Sequence, residues 1–104
     1  MNIRELLQDE ATELSGVESS VGADGSTTWS RGGRPFAVAA ANDSSAEFAL
    51  DPAVADAAAR TPDVTLSSRG PGWVAFAPVE LDDHAADRAV AWLASAHRRL
   101  GLQN

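Results

Sequence analysis

The side chains best able to perform acid–base or metal chemistry are His84 and His97, the only two histidines in the sequence. They lie thirteen residues apart on a predicted helix, which turns them roughly 220° from each other at about 100° per residue. One chain therefore cannot bring both to a single metal ion. The run Asp82-Asp83-His84 diverges around the helix and is typical of a capping segment. We expect no metal site.

Covalent catalysis is also disfavoured by composition. The sequence has no Cys and no Tyr, and none of its serines lies in a G-x-S-x-G nucleophile elbow. The short glycine stretches GADGS and SRGG lack the Lys of a phosphate-binding loop. We therefore predict a protein that is not an enzyme and has no cofactor.

Arginines in two acid-free windows are the strongest remaining signal. The chain carries a net charge of −7, from 15 acids against 8 basic residues, all of them Arg. Such a charge repels nucleic acid and anionic membranes at long range. Residues 25–42, with Arg31 and Arg34, and residues 64–79, with Arg69, contain no acid. These three side chains either form a local positive spot or belong to solvated turns without a function.

Two tryptophans lie beside these arginines. Trp29 and Trp73 border the glycine-rich stretches that carry the arginines. Each is predicted to anchor its turn against a sheet, or alternatively to line a groove and stack on a ligand. The third, Trp92, falls on the apolar stripe of the last predicted helix and is expected in the core.

The secondary-structure elements that position these residues are predicted from hydrophobic periodicity and from capping and turn residues. Helices are predicted over residues 2–16, 51–62 and 81–101, with Asn2, Asp51 and Asp82 as N-caps. Residues 27–42 predict a hairpin around Gly32-Gly33, with Phe36, Val38 and Ala40 on one face. Strands are expected in 46–50, 63–68 and 72–79. Residues 17–26 predict a loop with room for a short strand.

This order indicates one α+β domain spanning residues 1–104. We predict an antiparallel sheet of four to five strands with helices packed on one face, in the order helix, three strands, helix, one or two strands, helix. No apolar run approaches the roughly 20 residues of a membrane span. The acidic N-terminus is unlike a signal peptide, so a cytoplasmic location is expected. The predicted core consists of Phe36, Val38, Phe48, Leu50, Ala89, Trp92 and Leu93.

With the elements placed, the chain resembles the MmcQ/YjbR-like family of small bacterial proteins. The resemblance is carried by LSGVES, WSRGGRPFAVA, EFALDPAVADAAARTPDV and GWVAF. It implies an α+β fold and DNA binding through two hairpin "wings", here tipped by Arg31, Arg34 and Arg69, with Trp73 at the root of the second. The chain departs from the family at Ala49, where a basic residue is common, and in SSRGPG before the tryptophan.

Two functions remain open at this point. One is weak nucleic-acid binding by Arg31, Arg34, Arg69 and Trp73, as the resemblance implies. The other is a protein- or small-ligand-interaction module that uses the sheet face or the groove between the hairpins. The family favours the first, and the net charge of −7 favours the second.

Overall fold

A computed structural model describes residues 2–101 and contains one six-stranded sheet and three helices. Every neighbouring pair of strands is antiparallel, in the order β1-β2-β3-β4-β6-β5. The α+β class predicted from sequence is confirmed. The elements are α1 (Ile3–Ala11), β1 (Val17–Val21), β2 (Thr27–Arg31), β3 (Arg34–Ala39), β4 (Ala46–Ala49), α2 (Pro52–Ala58), β5 (Val64–Leu66), β6 (Trp73–Phe76) and α3 (Asp83–Gly101).

The strand that exceeds the predicted four to five is β1, which lies in the stretch where the sequence predicts mainly loop. Glu18 to Val21 are exposed, so the strand has no buried alternation for a periodicity argument to detect. It is held by its pairing with β2 and by the turn that joins them. In that turn the Asp24 Oδ1 accepts from the Ser26 N–H at 3.0 Å and from its hydroxyl at 2.7 Å.

A β-bulge changes the predicted facing of β3. Gly32 and Gly33 have φ of 58° and 79°, as a tight hairpin turn requires. Trp29 then pairs with Ala37 while Ser30 pairs with Pro35, so Phe36 is the extra residue. Phe36 therefore enters the core, whereas Val38 is buried on the opposite face of the sheet. The prediction that Phe36, Val38 and Ala40 share one face is wrong.

All three helices of the described residues pack against one face of the sheet. The fully buried Trp29, Phe36, Phe48 and Phe76 dominate this core. Leu50, Ala89 and Leu93 lie there as predicted. Trp92 is only partly buried and packs against the rim of the core, with its ring centre 5.1 Å from that of Phe76. The deepest tryptophan is Trp29, whose Nε1 donates to the Gln8 Oε1 at 3.0 Å.

Two of the three predicted N-caps make the expected hydrogen bond. The Asn2 Oδ1 accepts from the Glu5 N–H at 2.9 Å, and the Asp82 Oδ1 accepts from the Ala85 N–H at 2.8 Å. Asp51 precedes α2, but its side chain makes no capping hydrogen bond. Pro52 at the first position leaves one fewer N–H to satisfy there. Within residues 2–101, each helix is too short or too polar to cross a membrane.

Candidate binding surface

The two arginine-bearing turns lie at the same end of the sheet. The β2–β3 turn precedes β3, and the β5–β6 turn precedes β6. Strand β4 lies between β3 and β6 and is antiparallel to both, so it ends where they begin. The topology therefore places the two predicted wings on either side of the end of β4. Their arginines nevertheless lie in different surroundings.

Arg31 is directed toward the C-terminal end of α3. Its Nη1 donates to the main-chain oxygen of His97 at 3.2 Å, and a Cβ on Gly101 would lie 2.8 Å from the same nitrogen. The end of a helix carries partial negative charge and free carbonyl groups, so a guanidinium stabilises it. His97 Nε2 in turn lies 2.7 Å from the Ser15 main-chain oxygen. Arg31 thus joins the hairpin to the helix layer.

Arg34 pairs with Arg31 across the hairpin and is exposed. Both arginines line a cavity of about 440 Å³ together with Gly16, Gly32 and Leu100. Arg31 and Arg34 are directly opposite each other, so their side chains share a face of the sheet. Because Arg31 bonds α3, that face is the helix side, and the cavity lies there. The first hairpin therefore presents its charge on the helix side.

Arg69 lies on the other side. Its Nε donates to the Glu47 Oε2 at 2.6 Å, and its guanidinium lies 5.7 Å from the Trp73 ring centre. The Ser67 hydroxyl donates to the Glu47 Oε1 in a short hydrogen bond and accepts from the Arg69 N–H at 3.2 Å. We call Glu47, Ser67, Arg69 and Trp73 the Trp73 cluster.

The Trp73 cluster occupies the face of the sheet that the helices leave uncovered, which we call the open face. Val38, Glu47, Ala75 and Thr65 are cross-strand partners on β3, β4, β6 and β5. Their side chains point away from the core residues that alternate with them. Trp73 lies at the end of this face opposite Ala49 and is half-buried.

The root of the β5–β6 turn is held tightly against β4. The Leu50 N–H donates to the Gly72 carbonyl at 2.8 Å, and the Ser67 N–H donates to the Trp73 carbonyl at 2.9 Å. Gly72 has φ of 83°, and a Cβ there would lie 2.3 Å from the Leu50 carbonyl oxygen. Only glycine permits this approach, which fixes the start of β6 and with it the Trp73 ring.

The charge of Arg69 also influences a carboxyl group of the β1–β2 turn. The pKa of Asp24 is lowered, chiefly by the hydrogen bonds from the Ser26 hydroxyl and N–H and to a smaller extent by the charge of Arg69. Asp24 lies in the β1–β2 turn.

The comparisons with known proteins supply no family. No protein-family model matches the chain, and no curated protein matches it.

The structure thus brings together Arg69 and Trp73, and separately Arg31 and Arg34, on opposite faces. Glu47 and Ser67 complete the first group, but no sequence pattern indicated that either residue belongs to the site. Glu47 occurs as a lone acid in a short apolar strand, and only the β4–β6 register and the path of the turn place it beside Arg69.

The histidines lie at opposite ends of α3. His84 is exposed in its first turn and lines a cavity of about 440 Å³ with Asp63, Glu80 and Asp82. Among the described residues, no three His, Asp or Glu side chains converge in a group that could hold a metal ion.

Proposed function

We propose that this protein is a small non-enzymatic interaction module that binds a protein partner on the open face of its sheet, at the Trp73 cluster. The carrying observation is a half-buried Trp73 ring covered by Arg69, whose guanidinium is oriented by Glu47. Tryptophan and arginine are the residues most enriched at the energetic centres of protein interfaces. Here both are preorganised on a surface that the helices leave uncovered.

A protein partner fits this surface better than a small ligand. The cavity beside Trp73, between α2 and the β5–β6 turn, measures about 290 Å³, at the lower limit of the roughly 300–1,000 Å³ typical of small-molecule sites. On the open face, Thr65 is exposed and Ala75 is partly exposed beside the half-buried tryptophan, while Val38 is buried. Such a surface suits contact with another protein.

Nucleic-acid binding, which the MmcQ/YjbR-like resemblance implies, receives less support. Arg31 bonds the helix end and Arg69 bonds Glu47 on the opposite face, so these side chains do not line one continuous cationic surface. Counterion release from about three phosphate contacts gives only a shallow salt dependence. The net charge of −7 opposes binding further. At best, weak micromolar-range and non-specific affinity would remain.

Site-specific photo-crosslinking in the expressing cells tests the proposal. A crosslinking residue replaces Thr65, which is exposed on the open face, and in a matched control it replaces Val54, which is 39% exposed on α2. We expect a protein adduct from position 65 and not from position 54. The adduct partner is then purified and titrated against wild type, Trp73→Ala and Leu66→Ala. Leu66 is 63% exposed, on the helix side of the sheet.

Trp73→Ala should weaken partner binding about 10- to 30-fold, as expected for an interface hot spot, while Leu66→Ala should leave it unchanged. Equal affinities for all three proteins would contradict the proposal. Fluorescence anisotropy with duplex DNA at low salt provides the opposing test. DNA binding that is lost in Arg69→Glu would favour the wing hypothesis instead.

A further inference from the structure

Strand β1 forms an edge of the sheet, with no further strand beside it among residues 2–101. It pairs with β2 on one side and ends the strand order on the other. The opposite edge, β5, has three residues, follows Pro62 and packs against α2. β1 has five residues without proline, and four of them are exposed. Natural proteins usually protect an edge of this kind with lysine, proline or a covering element.

The outward main-chain groups of β1 can be assigned from the register. The Gly22 N–H donates to the Ser26 carbonyl at 2.8 Å, so residues 22 and 26 form a hydrogen-bonded pair. Hydrogen-bonded and non-hydrogen-bonded pairs alternate in an antiparallel ladder. Val17, Ser19 and Val21, opposite Arg31, Trp29 and Thr27, are therefore non-hydrogen-bonded with β2. Their N–H and C=O groups point away from the sheet and are available to another strand.

The charge around β1 selects the partner. Residues 17–26, which form β1 and the turn after it, contain two acids and no basic residue, and Arg31 opposite Val17 bonds the end of α3. Glu18 lies on the strand itself, and Asp24 lies in the turn that follows it. A second copy of the chain would bring two such acidic segments together, which repel each other. A basic segment would be attracted instead.

The side chains of β1 define the pattern of that segment. Val17 and Val21 lie on the helix side, because their cross-strand neighbours flank the buried Trp29, and Val21 is 73% exposed. Glu18 lies on the open-face side. An added strand would therefore place apolar side chains beside the two valines and a basic side chain beside Glu18.

We infer that the β1 edge binds a basic, extended segment of a partner protein by strand addition, with apolar and basic side chains alternating in the segment. Main-chain hydrogen bonds to residues 17, 19 and 21 supply the pairing, and Glu18 supplies charge selectivity. The inference does not depend on the Trp73 cluster, which lies on β4, β6 and the β5–β6 turn.

The test uses a capped peptide of about seven residues that alternates valine with lysine, long enough to pair with the five-residue strand. Its titration is followed by two-dimensional ¹H–¹⁵N NMR of the full chain, together with amide hydrogen exchange. We expect shifts centred on residues 17–21 and exchange at Ser19 and Val21 slowed about tenfold or more. A matched peptide with glutamate in place of lysine should not bind.

Two variants locate the contact. Ser19→Pro removes one outward N–H without removing a hydrogen bond to β2, and it should abolish binding of the lysine peptide. Glu18→Lys leaves the backbone unchanged and should weaken binding about tenfold. Glu80→Lys makes the same change of charge at an exposed position in the β6–α3 loop and should have a much smaller effect.

Three results would overturn the inference: equal binding of the glutamate peptide, equal loss of affinity in Glu18→Lys and Glu80→Lys, or shifts confined to other strands. Light scattering of the free protein adds a fourth. A dimer with Ser19 already protected from exchange would show that β1 pairs with a second copy instead.

Discussion

The two turns that carry the candidate arginines share residue types but differ in how they are anchored. In the β2–β3 turn, a Cβ on Gly32 or Gly33 would meet nothing within 4 Å. In the β5–β6 turn, Gly72 packs directly on the Leu50 backbone. Arg31 of the first turn bonds a helix end, and Arg69 of the second lies on the open face. Arginine near glycine therefore does not by itself indicate an exposed cationic tip.

Each turn has a tryptophan beside it, and replacing these two residues should give the largest difference in stability between the turns. Trp29 is fully buried in the core, so Trp29→Ala should lower the free energy of unfolding by about 3–5 kcal/mol. Trp73 is half-buried at the surface, so Trp73→Ala should cost about 1–2 kcal/mol, since part of the ring remains in water. Urea unfolding of both variants measures the comparison. Equal losses would mean that Trp73 is a core anchor and would weaken its assignment as a binding residue.

The glycines should give the next largest difference. Gly72→Ala combines left-handed backbone strain with a clash against a main-chain oxygen and should destabilise by about 2–5 kcal/mol. Gly33→Ala has the strain without the clash and should cost about 1–2 kcal/mol. Thermal and urea unfolding provide the measurement. A loss in Gly33→Ala as large as that in Gly72→Ala would show that the first turn is constrained as tightly as the second.

Sequence patterns were sufficient for features that depend on near neighbours. Gly32-Gly33 identified the hairpin, and Asp82 identified the start of α3, because turn and cap preferences act within a few residues. The bulge at Phe36 was missed because it depends on how β3 meets β2, which no alternation pattern contains. The exposed β1 was largely missed for a related reason: without a buried face, the strand has no period to detect.

The candidate site also depends on contacts between distant residues, which sequence patterns do not contain. Arg69 and Trp73 could be singled out because they lie close together in an acid-free stretch. Glu47 could not, since it is 22 residues from Arg69 and meets it only through the packing of the turn on the sheet. The pairing also changes the interpretation of Arg69, from a cation at a wing tip to a side chain held over Trp73.

The arginines themselves should differ in stability by a smaller amount. Arg31→Met removes a charged hydrogen bond to the end of α3 and should cost about 1–2 kcal/mol. Arg69→Met removes an ion pair whose side chains are 45% and 27% exposed, and should cost at most about 1 kcal/mol. The second loss should shrink more in high salt, because the Arg31 hydrogen bond to the main-chain oxygen is part-buried and therefore less screened. Unfolding in low and high salt checks this, and a salt-insensitive loss in Arg69→Met would indicate that its packing on Trp73 dominates.

Asp24 should show the smallest difference between the two arginines. Hydrogen bonds from Ser26, and to a smaller extent the charge of Arg69, lower the pKa of Asp24 from its ordinary value of 3.8. A carboxyl whose pKa is lower in the folded state contributes stability above the unfolded pKa and loses it as the pH falls through the folded pKa. Asp24→Asn should therefore destabilise the protein slightly at neutral pH, and the difference from wild type should disappear in acid below both pKa values.

A carboxyl NMR titration compares the two arginines. Arg69→Met should raise the pKa of Asp24 slightly. Arg31→Met should leave that pKa unchanged, because the guanidinium of Arg31 lies on the helix side. A response to Arg31→Met but not to Arg69→Met would reverse the assignment of the two arginines to opposite faces.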